Sequence, residues 1–194
     1  MSSATPNNTF DVAVVGLGPV GSLGAILFAE AGLRVVALEK QTDVWPLPRA
    51  VNLDGEIIRA LQPVGLAKPV QQLMQPLRPG ERAGFVNSRR EWLFGGDARP
   101  IGSNGWQPAN MFDQPELDAF LRKTARCHPN VTTYISHEVT RFSSGEEQVE
   151  IQAVGKDGEI SLSASYLVAC DGANSPTRKA CLLYTSPSPR DWLQ

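Results

Sequence analysis

The sequence predicts an α/β fold with a parallel sheet at its core, helices against that sheet and a β-meander as a further layer. Three observations predict it. An apolar run, a glycine-rich turn, a helical segment and a second apolar run follow one another from Asp11 to Glu39. Runs that alternate apolar and polar residues, separated by turn residues, fill residues 138–164. A continuously apolar run, Tyr166 to Cys170, then ends in Asp171-Gly172. Strands joined through a helix pair in parallel, whereas short strands joined by tight turns pair antiparallel.

The first stretch reads DVAVVGLGPVGSLGAILFAEAGLRVVALE. Val12 to Val15 is the first strand, Gly16-Leu17-Gly18-Pro19-Val20-Gly21 the turn, Ser22 to Ala31 the helix, and Val35 to Leu38 a second strand that closes on Glu39. Each residue type meets a physical need. Gly16 lets the chain turn sharply, Gly18 leaves room for a pyrophosphate to approach the backbone, and Gly21 lets the helix pack closely on the sheet. The anion then rests on the helix N-terminus, where free amides and the helix dipole supply roughly half a positive charge. Glu39 stands about 20 residues beyond the glycines, placed to accept hydrogen bonds from an adenosine ribose, and a carboxylate there argues against a phosphate on that ribose. A glycine turn alone is widely shared. In this order of elements it points to a Rossmann-like βαβ unit that binds a dinucleotide, with FAD and NAD both open.

The 194 residues carry a formal charge of −2, with 42% hydrophobic and 20% charged residues, which suits a globular protein. Without a basic cluster there is no reason to expect nucleic acid or an anionic membrane as partner. The three cysteines, Cys127, Cys170 and Cys181, are widely spaced and odd in number. They fit a reducing compartment, and two of them are expected to pack as small apolar residues. No apolar stretch reaches the roughly 18 residues that span a bilayer, and Met1 to Thr9 lacks a signal pattern, so the expected location is cytoplasmic.

After Glu39, Asp54 caps a predicted helix from Gly55 to Leu61. Arg49 either reaches cofactor phosphates with its planar fork or pairs on the surface with Glu39 or Asp43. Ala83 to Val86 and Trp92 to Phe94 read as antiparallel strands about a turn at Asn87 to Arg90. Trp92 and Trp106 either line an aromatic pocket or are simply large, partly buried residues. A second long helix opens at Gln114-Pro115, with Glu116 and Asp118 at its positive end, an apolar stripe of Leu117, Phe120 and Leu121 running towards Ala125, and Arg126 and His128 at its negative end. His128 is expected to be solvated. His137 shares no metal-ligand spacing with it, so no metal site is expected. Val131 to Ile135 is a strand, Glu138 to Phe142, Gln148 to Val154 and Ile160 to Ala164 form the meander, and Tyr166 to Cys170 is a buried parallel strand that delivers Asp171 to the carboxyl edge of the sheet.

These residues resemble the FAD-dependent aromatic hydroxylases of the p-hydroxybenzoate hydroxylase fold, and within it the hydroxyphenylpropionate hydroxylase group. The resemblance runs from Asp11 to Lys179 and rests on GLGPVG with Glu39, PRAVNLDGEIIRALQPVGL, QPELDAFL and YLVACDGANSPTR. It implies FAD as cofactor and NAD(P)H as a transient reductant. It places Gly16, Gly18, Pro19, Val20 and Gly21 at the pyrophosphate and Glu39 with Lys40 at the adenosine end. Arg49 and Gln114 fall at the ribityl phosphate region, and Asp171 with Gly172 near the pyrophosphate. The implied reaction uses NAD(P)H and O₂ to hydroxylate a small phenolic compound; the cofactor carries the chemistry, so no general acid or base is assigned.

The pattern of the family continues for about as many residues again, with a second Gly-Asp motif and a substrate-facing sheet. The chain is therefore expected to be an N-terminal fragment: a disordered start over residues 1–10, an incomplete FAD-binding domain over 11–180 and a non-native or disordered tail over 181–194. Leu182 to Asp191 resembles translated adapter sequence, and by this reading the polypeptide alone hydroxylates nothing. Two other readings stand beside it: an NAD-linked dehydrogenase, which the late meander and CDGANS count against, and a nucleotide-binding remnant without turnover.

Overall fold

Continuous apolar runs bounded by glycine or polar turns set the strands, and segments with apolar residues at three- and four-residue spacing set the helices. The computed structural model describes residues 9–181, apart from 79, 98 and 100, so the tail expected to be non-native lies outside the described residues beyond Cys181. In chain order the first elements are β1 (Thr9–Val15), α1 (Pro19–Glu30) and β2 (Val35–Glu39). There follow β3 (Asn52–Leu53), α2 (Gly55–Leu61), α3 (Ala67–Gln72), β4 (Met74–Pro76), β5 (Arg82–Val86), β6 (Trp92–Asp97) and β7 (Asn110–Phe112). The last are α4 (Gln114–Cys127), β8 (Val131–Ile135), β9 (Glu138–Ser144), β10 (Val149–Gly155), β11 (Gly158–Ala169) and α5 (Pro176–Ala180). They fall into two units, one from residues up to Val44 together with those from Asp118 onward, the other from Trp45 to Leu117. β1 starts at Thr9, inside the stretch expected to be disordered.

The first unit holds one six-stranded sheet in the order β8-β2-β1-β11-β10-β9. β8, β2, β1 and β11 run parallel, and β10 and β9 continue the ladder antiparallel. The sheet is therefore the mixed α/β sheet that the sequence predicts, with one difference in how it is joined. Ile160–Ala164 and Tyr166–Cys170 are not two strands: β11 is a single strand of 12 residues whose first half pairs with β10 and whose second half pairs with β1. No turn residue separates Ala164 from Tyr166, so nothing in the backbone interrupts the strand. The pairing with β10 ends at Val149↔Ala164, which leaves the rest of β11 paired with β1 alone among the described residues. Tyr166 is accordingly 71% exposed, which corrects the expectation of a buried strand.

The sheet curls so that the meander covers one face of its own parallel part. Ala13, Val36 and Leu38 of β1 and β2 share one apolar cluster with Ile151, Ala153, Leu162 and Ala164 of β10 and β11, and Val139 and Phe142 of β9 pack against it. Alternation along the strands sends Val14, Val35 and Ala37 to the opposite face, the side of α1, whose Ala25, Ile26 and Ala29 are buried. Residues 12–15 and all five residues of β2 are buried, as strands covered on both faces require. Leu117, Leu121 and Ala125 of α4 form the buried stripe that its spacing predicts.

In the second unit β3, β7 and β4 form a three-stranded antiparallel sheet, and β5 pairs with β6. α2 has the predicted limits because Asp54 Oδ1 accepts from the amides of Glu56 and Ile57. The turn of the β5–β6 hairpin is held by Asn87 Oδ1, which accepts from the amides of Arg89 and Glu91. Trp92 and Trp106 make separate contacts within the unit. The Arg82 guanidinium lies 4.2 Å over the Trp92 ring, which covers Gly84 and Gly95 of its own hairpin, and Trp106 Nε1 donates to Gln62 Oε1 at 3.0 Å.

Two glycines of α1 show why only one of them is required. A Cβ on Gly21 would strike the carbonyl oxygen of Gly16 and come within 3.1 Å of Cys170 Cβ, whereas a Cβ on Gly24 would make only an ordinary 3.8 Å contact with Phe28. Gly21→Ala is expected to destabilise the chain by about 1–3 kcal/mol through overpacking. Gly24→Ala is expected to stabilise it by about 0.5–1 kcal/mol. Equilibrium denaturant unfolding of the two variants checks both signs.

Candidate dinucleotide site

The glycine turn leaves β1 at a point where three strands meet. Gly16 donates its amide to Leu38 O at 2.7 Å, and Cys170 donates to Val15 O at 2.7 Å. Gly16 has φ +96°, and a Cβ there would sit 2.5 Å from Cys170 O, so both conformation and space demand glycine. Gly18 is different. It caps α1 with φ −72° and ψ −171°, which any residue can adopt, and a Cβ there would meet nothing within 4 Å. Its open side faces the start of α1, where Pro19 has no amide to offer, Val20 is 71% exposed, and the first turn carries no acidic residue. First-turn amides lack intrahelical acceptors and carry the positive end of the helix dipole.

Glu39 ends β2 and is only 8% exposed. Its Oε2 accepts from the amide of Leu17 at 2.7 Å and its Oε1 from the amide of Gln41 at 2.8 Å. Its charged partner is Arg122 of α4, whose Nη2 lies 3.7 Å from Oε2. Lys40, next in the chain, points to the surface, with Nζ 4.0 Å from Glu138 Oε1.

Asp171 follows β11 and turns back on its own loop, its Oδ2 accepting from the amide of Thr177 at 3.0 Å. Burial pushes its carboxyl up, but hydrogen bonds from Ser175 and Thr177 outweigh this and hold it below the usual carboxylate range. Gly172, at φ +86°, makes the turn that follows. Burial, and then the neighbouring Asp171 carboxylate, push the Cys170 thiol up. Gly16, Gly18, Glu39, Lys40, Asp171 and Gly172 all line one cleft of about 190 Å³, together with His137. Six expected cofactor residues from three separate strand ends thus come together at the carboxyl edge of the parallel strands, where open α/β sheets bind ligands.

In the second unit, Gln114 Oε1 accepts from the amides of Arg49 and Ala50 at 2.8 and 2.9 Å. Arg49 and Gln114 are therefore neighbours despite 65 residues of separation. The Arg49 guanidinium stacks 5.1 Å from the Trp45 ring centroid. Glu39, one of the two partners considered for Arg49, pairs instead with the buried Arg122.

Several side chains lie where the sequence alone does not place them. Asp118 and Arg122 are buried, at 6% and 8% exposure, although charged residues four apart on a helix usually face water. His128 is not a solvated helix end: its side chain is 15% exposed, its Nε2 lies 3.5 Å from Glu30 Oε1, and its Nδ1 accepts from the amide of Asn130. Of the cysteines only Cys170 is half-buried, while Cys127 and Cys181 are exposed. His137 joins the cleft unforeseen, its Nδ1 2.9 Å from Ile135 O and its ring edge-on to Tyr134. The sole signal for Arg122 is its place beside the stripe of Leu117, Leu121 and Ala125. Among the described residues no cluster could hold a metal, and no helix is long and apolar enough to cross a membrane.

The model of the FAD binding domain family matches residues 9–189. The chain belongs to this family. It is 32% identical to the 3-(3-hydroxy-phenyl)propionate/3-hydroxycinnamic acid hydroxylase of Klebsiella pneumoniae, covering 100% of this chain and 36% of that protein. It is 35% identical to the Burkholderia vietnamiensis enzyme of the same description, covering 87% of this chain and 27% of that protein. Among solved structures, p-nitrophenol 4-monooxygenase from Pseudomonas putida superposes with a TM-score of 0.76 at 29% identity, over 88% of this chain and 43% of that one. The flavin-dependent monooxygenase PieE, solved with FAD and substrate, shares the fold at a TM-score of 0.76 and 17% identity, over 91% of this chain and 32% of that one. The chain spans about a third of the length of the curated relatives it matches. It is an FAD-binding domain of the flavin monooxygenase family that includes the aromatic hydroxylases.

The residues present fit the dinucleotide that this family implies. The space beside Gly18 is open, the helix end next to it favours an anion, and Glu39 lines the same cleft.

The depressed Asp171 carboxyl makes a pH prediction. A group titrating below its unfolded value stabilises the folded chain above about pH 4, the ordinary carboxylate pKa, and loses that contribution as pH falls through this range. Asp171→Asn is expected to cost about 1 kcal/mol at pH 7, the difference between a charged and a neutral hydrogen bond. Denaturant unfolding from pH 7 to pH 3 should show the gap to wild type closing as the pH falls.

Proposed function

We propose that the chain is the nucleotide-binding part of an FAD-dependent hydroxylase that acts on a small phenolic compound with NAD(P)H and O₂ as co-substrates. The observation that carries the FAD assignment to particular residues is Gly18. Neither its backbone conformation nor its neighbours call for glycine, and the space beside it is open for a group to approach the backbone. A pyrophosphate does so in a dinucleotide βαβ unit.

In this reading Gly16 and Gly21 shape the turn, and Gly18, Pro19 and Val20 present the helix N-terminus to the pyrophosphate. Glu39 accepts from the adenosine ribose, with Lys40 at the rim of the adenosine end. Asp171 and Gly172 close the cleft on the far side, near the pyrophosphate. The resemblance extends the cofactor role to Arg49 and Gln114 of the second unit, where Gln114 fixes the backbone that carries Arg49. The bound flavin would supply the redox chemistry and the reaction with O₂. The chain's own residues bind and orient it, and none is assigned as general acid or base. The phenolic substrate rests on the names of the relatives, whose curated members act on 3-(3-hydroxy-phenyl)propionate and 3-hydroxycinnamic acid.

Titration of FAD against the whole chain, followed by flavin fluorescence, tests the reading. Wild type is expected to quench and retain FAD through desalting. Gly18→Val is expected to change stability by no more than about 0.5 kcal/mol. The same variant should weaken FAD at least about tenfold, because a side chain occupies the path of the pyrophosphate. Undiminished FAD affinity in that variant, or a wild-type chain that takes NAD in place of FAD, would overturn it.

A further inference from the structure

A buried arginine needs a reason, since replacing a buried ion pair by apolar side chains is often neutral or stabilising. Arg122 is 8% exposed, and its fork addresses two targets at once. Its Nε donates to Leu17 O at 3.2 Å, and its Nη2 faces Glu39 Oε2 at 3.7 Å. Leu17 N donates to that same Oε2 at 2.7 Å, while Ser22 Oγ donates to Leu17 O at 3.2 Å. Leu17 lies between Gly16 and Gly18 and is fully buried. Its peptide, the Glu39 carboxylate and the Arg122 guanidinium therefore form a closed ring that ties the glycine turn to the end of β2.

We infer that Arg122 is a positioning residue, which acts through Glu39 to fix the recognition of the adenosine ribose. The inference rests on the FAD reading above. A carboxylate has about four lone-pair sites. The amides of Leu17 and Gln41 take one on each oxygen and Arg122 faces Oε2, which leaves acceptor capacity, chiefly on Oε1, for a ribose hydroxyl. Arg122 does two things for that arrangement. It holds the carboxylate in one rotamer against the turn, and it supplies a positive charge that offsets Glu39 beside an incoming diphosphate, in a site where low polarity strengthens repulsion. The planar fork matters as well as the charge, because its Nε and Nη2 reach Leu17 O and Glu39 from two atoms at a fixed spacing, which a single ammonium nitrogen does not reproduce.

The test compares ADP with 2′-deoxy-ADP on the whole chain by calorimetric titration, with thermal melting in parallel. Wild type is expected to prefer ADP by about tenfold or more, the value of a hydrogen bond to a charged acceptor. Arg122→Met should bring that preference close to one and weaken ADP itself about tenfold. Glu39→Gln should lose the preference to a similar extent, and the double variant should lose no more than Glu39→Gln alone, as residues acting in series require. Arg122→Lys, which keeps the charge without the fork, should retain only part of the preference, and it carries the test should the methionine variant not fold. A preference unchanged in Arg122→Lys and Arg122→Met while their melting falls would make Arg122 merely structural and overturn the inference. A wild-type chain that binds FAD without distinguishing the two nucleotides would overturn it and leave the FAD reading standing. A wild-type chain that binds neither FAD nor ADP would overturn both.

Discussion

Leu17, between Gly16 and Gly18, is held on both sides: its amide by the Glu39 carboxylate and its carbonyl by Arg122 and Ser22. Much else in the first unit follows from that constraint. The turn can be this tight because Gly16 adopts a positive φ against Cys170 O, and α1 can start this close to the sheet because Gly21 has no Cβ to strike Gly16 O. Once the turn is fixed, the backbone at Gly18 is open, with no side chain of its own over it. Such an opening suits an anion that must approach the backbone itself.

The distribution of charge follows the same logic. No lysine or arginine stands in the glycine turn itself, and α1 begins without an acidic residue, so the helix end adds its positive potential to that of Arg122 behind the turn. The carboxylates on either side, Glu39 and Asp171, are each satisfied from within the protein, by Leu17 and Gln41 in one case and by Thr177 in the other. Neither is an isolated charge facing the cleft. The long strand β11 makes this geometry possible, because it carries Asp171 to the sheet edge and at its other end anchors the meander that closes one face of the core.

The local devices were legible in the sequence and the long-range ones were not. The glycine turn, the capped helix from Gly55 to Leu61, the hairpin around Asn87 and the opening of α4 at Gln114 are each set by residues within a few positions of one another. The continuity of β11 escaped because its two halves carry different patterns, alternating up to Ala164 and continuously apolar from Tyr166, and so read as two strands. The exposure of Tyr166 escaped because it depends on where the partner strand β10 ends. The burial of Arg122 could not be read because helical spacing gives a direction but not what lies in it, and its partner Leu17 stands more than 100 residues away. His137 was hidden for the same reason. The cleft is assembled from three strand ends, and periodicity within any one of them carries no word of the other two.

Amide hydrogen exchange of the whole chain, with and without FAD, tests most directly the claim that this shared edge is the cofactor site. Slowed exchange on adding FAD in peptides covering residues 16–22, 39–41 and 170–173 is the predicted result, since bound diphosphate and ribose restrain all three strand ends together. Protection confined to other segments, with these three unchanged, would contradict the account.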